Sequence, residues 1–223
     1  MLSETDLIEE VKTKMEEISP FDEPDNFIVA GGDASYDKVK AIVSYIKQEL
    51  PNAISYCLST LPLSLLAADV KCIEVKNIHI DKNCVGILDN MYDWFRYARV
   101  SVPEYWRRDV TSFLTSSDAM YLVEQHPYVG SGACKPKVVV VPELGVLELH
   151  SFPGHANEDI DTEVNVYYIN PVVAKVNDDF DIESAISDYI SLRCAECVYN
   201  IFGMQQSAIM AKMFNEKVTS VLL

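Results

Sequence analysis

Cys194 and Cys197 stand at the C-x-x-C spacing with which two thiolates exchange a disulfide or supply half of a zinc site. Zinc would need further ligands, and the sequence has neither a second C-x-x-C nor a histidine pair at finger spacing. The pair also falls inside an apolar segment of helical period, not at the strand-to-helix junction of a thioredoxin-like motif, so it reads as two small core residues. His150 and His155, followed by Glu158, Asp159 and Asp161 in HSFPGHANEDID, offer imidazole and carboxylate, which suit several divalent ions. A metal-dependent hydrolase built on them is one functional reading, but the spacing fits no specific ligand pattern, and acids in a loop are ordinarily solvated. NDDFDIE at 177–183 carries the acids of a calcium loop without its glycine or its distal glutamate. Acids at a helix start are favoured by the helix dipole, so capping accounts for them.

Phosphate and nucleophile chemistry find less support. GSGACKPK at 130–137 lacks a GK[ST] ending, and Gly31-Gly32 is followed by an acid that would repel phosphate. Cys134 with His126 as its base has no orienting group and no oxyanion donors in the sequence. No catalytic, cofactor-binding or metal-binding set is assigned. What remains is YDWFRYARVSVPEYWRR at 92–108, which gathers four of the chain's five arginines, both tryptophans, three tyrosines and a phenylalanine. Singly, these aromatics are most simply core residues of a strand. As a group, Trp, Tyr and Arg are the types enriched at interface hot spots, because they bring large area and forked hydrogen bonds. The same mix can stack on bases, so a soluble module that binds host or nucleic-acid partners is a further reading. Trp94, Arg96, Arg99, Trp106, Arg107 and Arg108 form the candidate subunit interface.

The elements that must position these residues follow from composition and period. The 223 residues are 49% hydrophobic and 23% charged, an ordinary folded composition with room for one substantial core or two modest subdomains. MLSETDLIEEVK lacks the zones of a secretion signal, and no window approaches about 18 uninterrupted apolar residues, so the expectation is a soluble protein made in a cytoplasm. Six scattered cysteines read as free thiols in a reducing compartment. A formal charge of −16 argues against a surface that wraps phosphate, while leaving room for one basic patch.

Residues 3–18 place Ser3 as an N-cap and repeat Leu7, Val11, Met15 and Ile18 at helical spacing. A second helix begins near Ser35 or Tyr36 with Val39, Ile42, Val43, Ile46 and Leu50 on one face. Pro51 stops, kinks or restarts it, and helix continues to about Leu61. From Lys71 the pattern turns to short β-rich runs: KCIEVKNIHI, VGIL, FRYARVSV, KPKVVVVP, GVLELHSF and EVNVYYIN. DDFDIESAISDYISLRCAECVYNIFG reads as one long helix that ends at Gly203, and QQSAIMAKMFNEKVTSVLL as a last one. The expected fold is α+β: N-terminal helices in 1–66 and C-terminal helices in 176–223 forming one bundle, packed with a central antiparallel β-rich domain in 67–175 as one compact unit.

In this order the features resemble the head-to-tail connector proteins of short-tailed phages, the tail tubular A or gatekeeper family, including the ring proteins of crAss-like phages. The likeness covers most of the chain. Asp93-Trp94-Phe95-Arg96-Tyr97 and Trp106-Arg107-Arg108-Asp109-Val110 are similar to the family's aspartate-aromatic-hydrophobic-arginine strand and its following tryptophan with a basic residue. Gln125, Pro136-Lys137-Val138-Val139, Tyr168-Ile169-Asn170-Pro171 and the Ala185 to Gly203 helix follow in the family's order. The proline that usually precedes the first motif is absent from Asp89-Asn90-Met91-Tyr92. The resemblance implies a non-enzymatic virion structural protein at the head-tail junction, assembled in the host cytoplasm. It would form a dodecameric ring below the portal protein, extend the channel through which DNA leaves the capsid, and dock other ring or tail proteins, with no cofactor and no membrane contact. DNA would pass without specific binding, which an acidic wall favours because it does not hold phosphate. A ring that closes by rotation needs two different complementary patches on each subunit. Residues 1–60 hold 12 acids against 5 lysines and could face Arg96, Arg99, Arg107 and Arg108 of a neighbouring copy.

Overall fold

Leu7, Ile8, Val11 and Met15 recur at intervals of three and four, and they are the buried stripe of the first helix, α1 (Glu4–Ile18). The computed structural model describes residues 1–18, 34–92, 95–124, 135–152 and 154–222 of the chain. Its fold is α+β, and it divides into two units: Met1–Asp69 with Pro171–Leu223, and Val70–Asn170.

The first unit is helical and is made from both ends of the chain. Besides α1 it contains α2 (Ala34–Thr60), α4 (Ser187–Ile201) and α5 (Gln206–Leu222), with α4 packing on each of the other three. Pro51 lies inside α2 and does not end it. A mid-helix proline removes one hydrogen bond and costs about 3 kcal/mol, but Ile46, Leu50, Ala53, Ile54, Cys57 and Leu58 stay in phase and buried on both sides of it. That continuous apolar stripe carries the helix through. At the end of α4, the Met204 N–H donates to the Tyr199 carbonyl and the Gly203 N–H to the Asn200 carbonyl, at 3.0 Å each. Gly203 has φ 65, so this is a Schellman cap, and the expected stop at Gly203 is seen.

The expected single helix over 178–203 begins later than the sequence suggested. Strand β9 (Lys175–Val176) and strand β10 (Asp179–Phe180) form a hairpin that pairs in turn with β1 (Leu2–Ser3). The two residues between them, Asn177 and Asp178, have φ 53 and 68, the left-handed pair of a type I′ turn. Of the acids read as helix caps, Asp178 and Asp179 are therefore in the turn and second strand of a hairpin, and Asp181 and Glu183 follow it ahead of α4. Asp69 then holds the chain that leads to α4: its carboxylate accepts the Glu183 N–H at 2.7 Å and the Ser184 N–H at 3.2 Å.

The second unit holds a seven-stranded sheet: β2 (Lys71–Ile80), β3 (Val85–Asp89), β4 (Arg96–Ser101), β5 (Phe113–Thr115), β6 (Lys137–Val141), β7 (Val146–His150) and β8 (Glu158–Ile169). Their spatial order is β4-β8-β2-β3-β7-β6-β5. Here the antiparallel expectation needs correction, because β5 and β6 run parallel while every other pair is antiparallel. Parallel neighbours require a long connection, and the chain between these two strands includes the short helix α3 (Ala119–Glu124). The Val138 to Val141 run is buried throughout. Val138 and Val140 join the main core with Leu147, Leu149, Val164 and Val166, while Val139 and Val141 pack on the opposite face with Val146, Ile87, Leu114 and Tyr121. A strand covered on both faces reads as a continuous apolar run, not an alternating one.

Candidate functional site

The arginine-rich stretch begins on edge strand β4 and continues into an excursion over 102–109 that the structure closes tightly. Val100 and Val110 exchange both backbone hydrogen bonds at 2.9 Å, so the chain leaves the strand and returns to it. Within the excursion the N–H groups of Tyr105 and Trp106 both donate to the Val102 carbonyl, at 3.1 and 2.8 Å. This single helical turn, led by Pro103 with its preset φ, turns the Trp106 indole into the core, where it is 6% exposed and its ring centroid lies 6.2 Å from that of Phe152. Tyr105 packs between Phe152, tilted at 5.4 Å, and His155, edge-on at 5.3 Å.

The arginines of the stretch fall into separate environments. Arg99 is held within the unit, with its guanidinium 3.2 Å from the Asp109 carboxylate and 4.0 Å from the Tyr167 ring centroid. Arg96 is half-buried on β4, and desolvation lowers its pKa from the ordinary guanidinium value. Arg107 and Arg108 are exposed, and neither makes an ion pair with a described residue. The aromatics at the start of the stretch form a cluster of rings: Phe95 on Tyr168 at 4.3 Å, Phe95 on Tyr92 at 5.3 Å, and Tyr97 on Phe113 at 5.7 Å, with the Tyr97 hydroxyl donating to the Tyr92 carbonyl at 2.8 Å. Trp94 and Asp93 lie outside the described residues. The structure thus places Trp106 in the core, Arg99 in an internal ion pair, and Arg107 with Arg108 at the surface of one loop.

The residues weighed for other chemistry are separated. His150 is buried and its Nε2 lies 3.0 Å from Glu148 Oε2, while the other oxygen of Glu148 accepts from the Tyr121 hydroxyl at 3.2 Å. His155 pairs instead with Glu158, and Asp159 pairs with His79 on the neighbouring strand at 2.7 Å. Among the described residues no three His, Cys, Asp or Glu side chains come together to hold a metal ion. Cys194 is buried in α4, its thiol donating to the Ile46 carbonyl at 3.7 Å, and burial raises its pKa; Cys57, opposite on α2, is pushed up to about 12. Such thiols stay protonated and unreactive. Gly31, Gly32, Gln125, His126 and Cys134 lie outside the described residues. No helix among them is long and apolar enough to cross a membrane.

Sequence reasoning missed Asp109 and Tyr167 as the partners of Arg99. The one signal for the first was the pair of valines, Val100 and Val110, flanking a segment with a proline turn. Nothing in the sequence pointed to the second. Compared with models of known protein families and with curated proteins, the chain matches none.

Proposed function

We propose that the protein is a virion structural protein, the subunit of a head-to-tail connector ring that sits below the portal, extends the DNA channel and docks tail components. The observation that carries this reading is the order of the resembling motifs along the chain, from the aromatic and arginine strand to the long C-terminal helix. The α+β fold supports it, with helices from both chain ends forming one unit and the β-rich middle another. So does the surface. A chain of net charge −16 presents Arg107 and Arg108 on a closed loop, with no ion pair to a described residue, which suits a subunit that binds acidic neighbours and lets DNA slide past.

The test is electron microscopy of virions and of the purified protein mixed with its portal. Closed rings of this chain at the head-tail junction are the expected result. Virions whose junction contains no density for this chain would sink the proposal. A stoichiometric transition metal in the purified protein would instead favour the hydrolase reading, and a shift of nucleic acid in a gel at physiological salt the nucleic-acid module.

A further inference from the structure

We infer that the Arg107-Arg108 loop docks on the exposed acidic face of α1 in a second copy of this chain. The inference rests on the ring reading and names the two surfaces that would make the ring. On one side, the loop is prepared to bind. Its ends are fixed by the Val100–Val110 bridge, its turn by the two hydrogen bonds to Val102, and its middle by the buried Trp106, so little order remains to be imposed on the backbone at docking. Asp109, the acid next to Arg108 in the sequence, is already neutralised by Arg99. Glu104 is the remaining acid of the loop, and it is exposed. The two guanidiniums therefore stand as an exposed cationic pair with no ion pair to a described residue, on a strongly anionic chain.

On the other side, α1 turns Leu7, Ile8, Val11 and Met15 inward and presents Asp6, Glu9 and Glu16 outward, along one helix face at spacings of three and seven. Glu9 is shared with Lys12 at 3.0 Å, whereas Asp6 and Glu16 make no ion pair with a described residue. Helix acids and loop arginines are different patches, which is what a head-to-tail contact requires; like patches on the two copies would repel. Arginine forks and carboxylates also meet with defined geometry, which sets the rotation between neighbours.

The test compares four versions of the full chain: the natural protein, Arg107→Glu with Arg108→Glu, Glu9→Lys with Glu16→Lys, and all four changes together. Assembly is followed by sedimentation at low and high salt, and folding by circular dichroism. We expect the natural chain to associate with a salt-dependent affinity, each one-sided variant to associate roughly tenfold more weakly or worse, and the combined swap to regain most of the loss. Rings that form unchanged in the Arg107→Glu, Arg108→Glu variant would overturn this interface and leave the connector reading standing. One-sided variants that lose assembly but are not rescued by the swap overturn the pairing of these two surfaces. A natural chain that stays monomeric at every concentration and salt also overturns it.

Discussion

The hydroxyl of Tyr199 on α4 donates a 2.8 Å hydrogen bond to the backbone carbonyl of Met15 in the last turn of α1, and both side chains are fully buried. Carbonyls in the last turn of a helix lack partners within the helix, so the phenol fills a vacancy that no water reaches. Replacing Tyr199 with Phe keeps the ring and strands the acceptor, which should cost about 1–3 kcal/mol. Urea unfolding of Tyr199→Phe checks this, and a midpoint equal to that of the natural protein would refute it.

Gly86 on β3 sits where a methyl group would meet Ile78 at 3.1 Å, Phe152 at 3.2 Å and Ile80 at 3.3 Å. In an open strand, alanine would improve on glycine. Here the three neighbours belong to one packed core, with Phe152 wedged by Tyr105 and Trp106, so none can retreat alone. Gly86→Ala is expected to destabilise by about 1–2 kcal/mol, with a lower thermal midpoint. An equal or raised midpoint would show that the core yields.

The type I′ turn at Asn177-Asp178 gives the opposite sign. Asp178 adopts φ 68, a region that glycine enters without strain, and Asn-Gly is the preferred sequence for this turn. Asp178→Gly should therefore hold stability or raise it by about 0.5 kcal/mol, while Asp178→Val, whose branched side chain resists positive φ, should lower it by about 1 kcal/mol or more. The two variants, compared by calorimetry, must fall in that order.

Alkaline pH should weaken the helical unit. Burial pushes the Cys57 thiol from 9.0 up to about 12 and the Tyr199 phenol from 10.0 up to about 12, and it raises Cys194 as well. The folded state thus keeps protons that the unfolded chain releases. Stability is fully present below pH 9 and is lost as pH rises from there toward 12. The urea midpoint should fall steadily across pH 9 to 11, and less steeply in Tyr199→Phe, which removes one of the titrating groups. A midpoint that stays flat over this interval would contradict the assignment.

Much of the fold was legible because period and burial agree. The spacing of Leu7, Val11 and Met15 gave α1, and the β-rich run EVNVYYIN gave the second half of β8, where Val164 and Val166 are buried. Elsewhere short-range signals pointed to the wrong partner. The acids of 178–183 satisfy a helix start as well as a hairpin turn, and only pairing with Leu2 and Ser3, far away in the chain, selects the hairpin. The parallel pairing of Phe113–Thr115 with β6 leaves no mark in either strand, since direction is set by the connection. Of the candidate site, the gathering of arginines was visible but their division was not. Nothing local separates Arg99, which reaches Asp109 across the closed loop and Tyr167 across the β4–β8 ladder, from Arg107 and Arg108, which turn outward.

The pairing of β2 with β8 bears on how such a chain reaches its folded state. Lys71 stands opposite Tyr168, so the first and last strands of the Val70–Asn170 unit are hydrogen-bonded neighbours. Helices α1 and α2 are made before that unit and α4 and α5 after it, and bringing them together through a slack intervening chain would carry a large loop-closure entropy. Once β2 and β8 have zipped, Asp69 and Pro171 are delivered side by side, and the distance to be closed shrinks to a few residues. The sheet is a clasp across which the two helical ends of the chain meet as if they were consecutive.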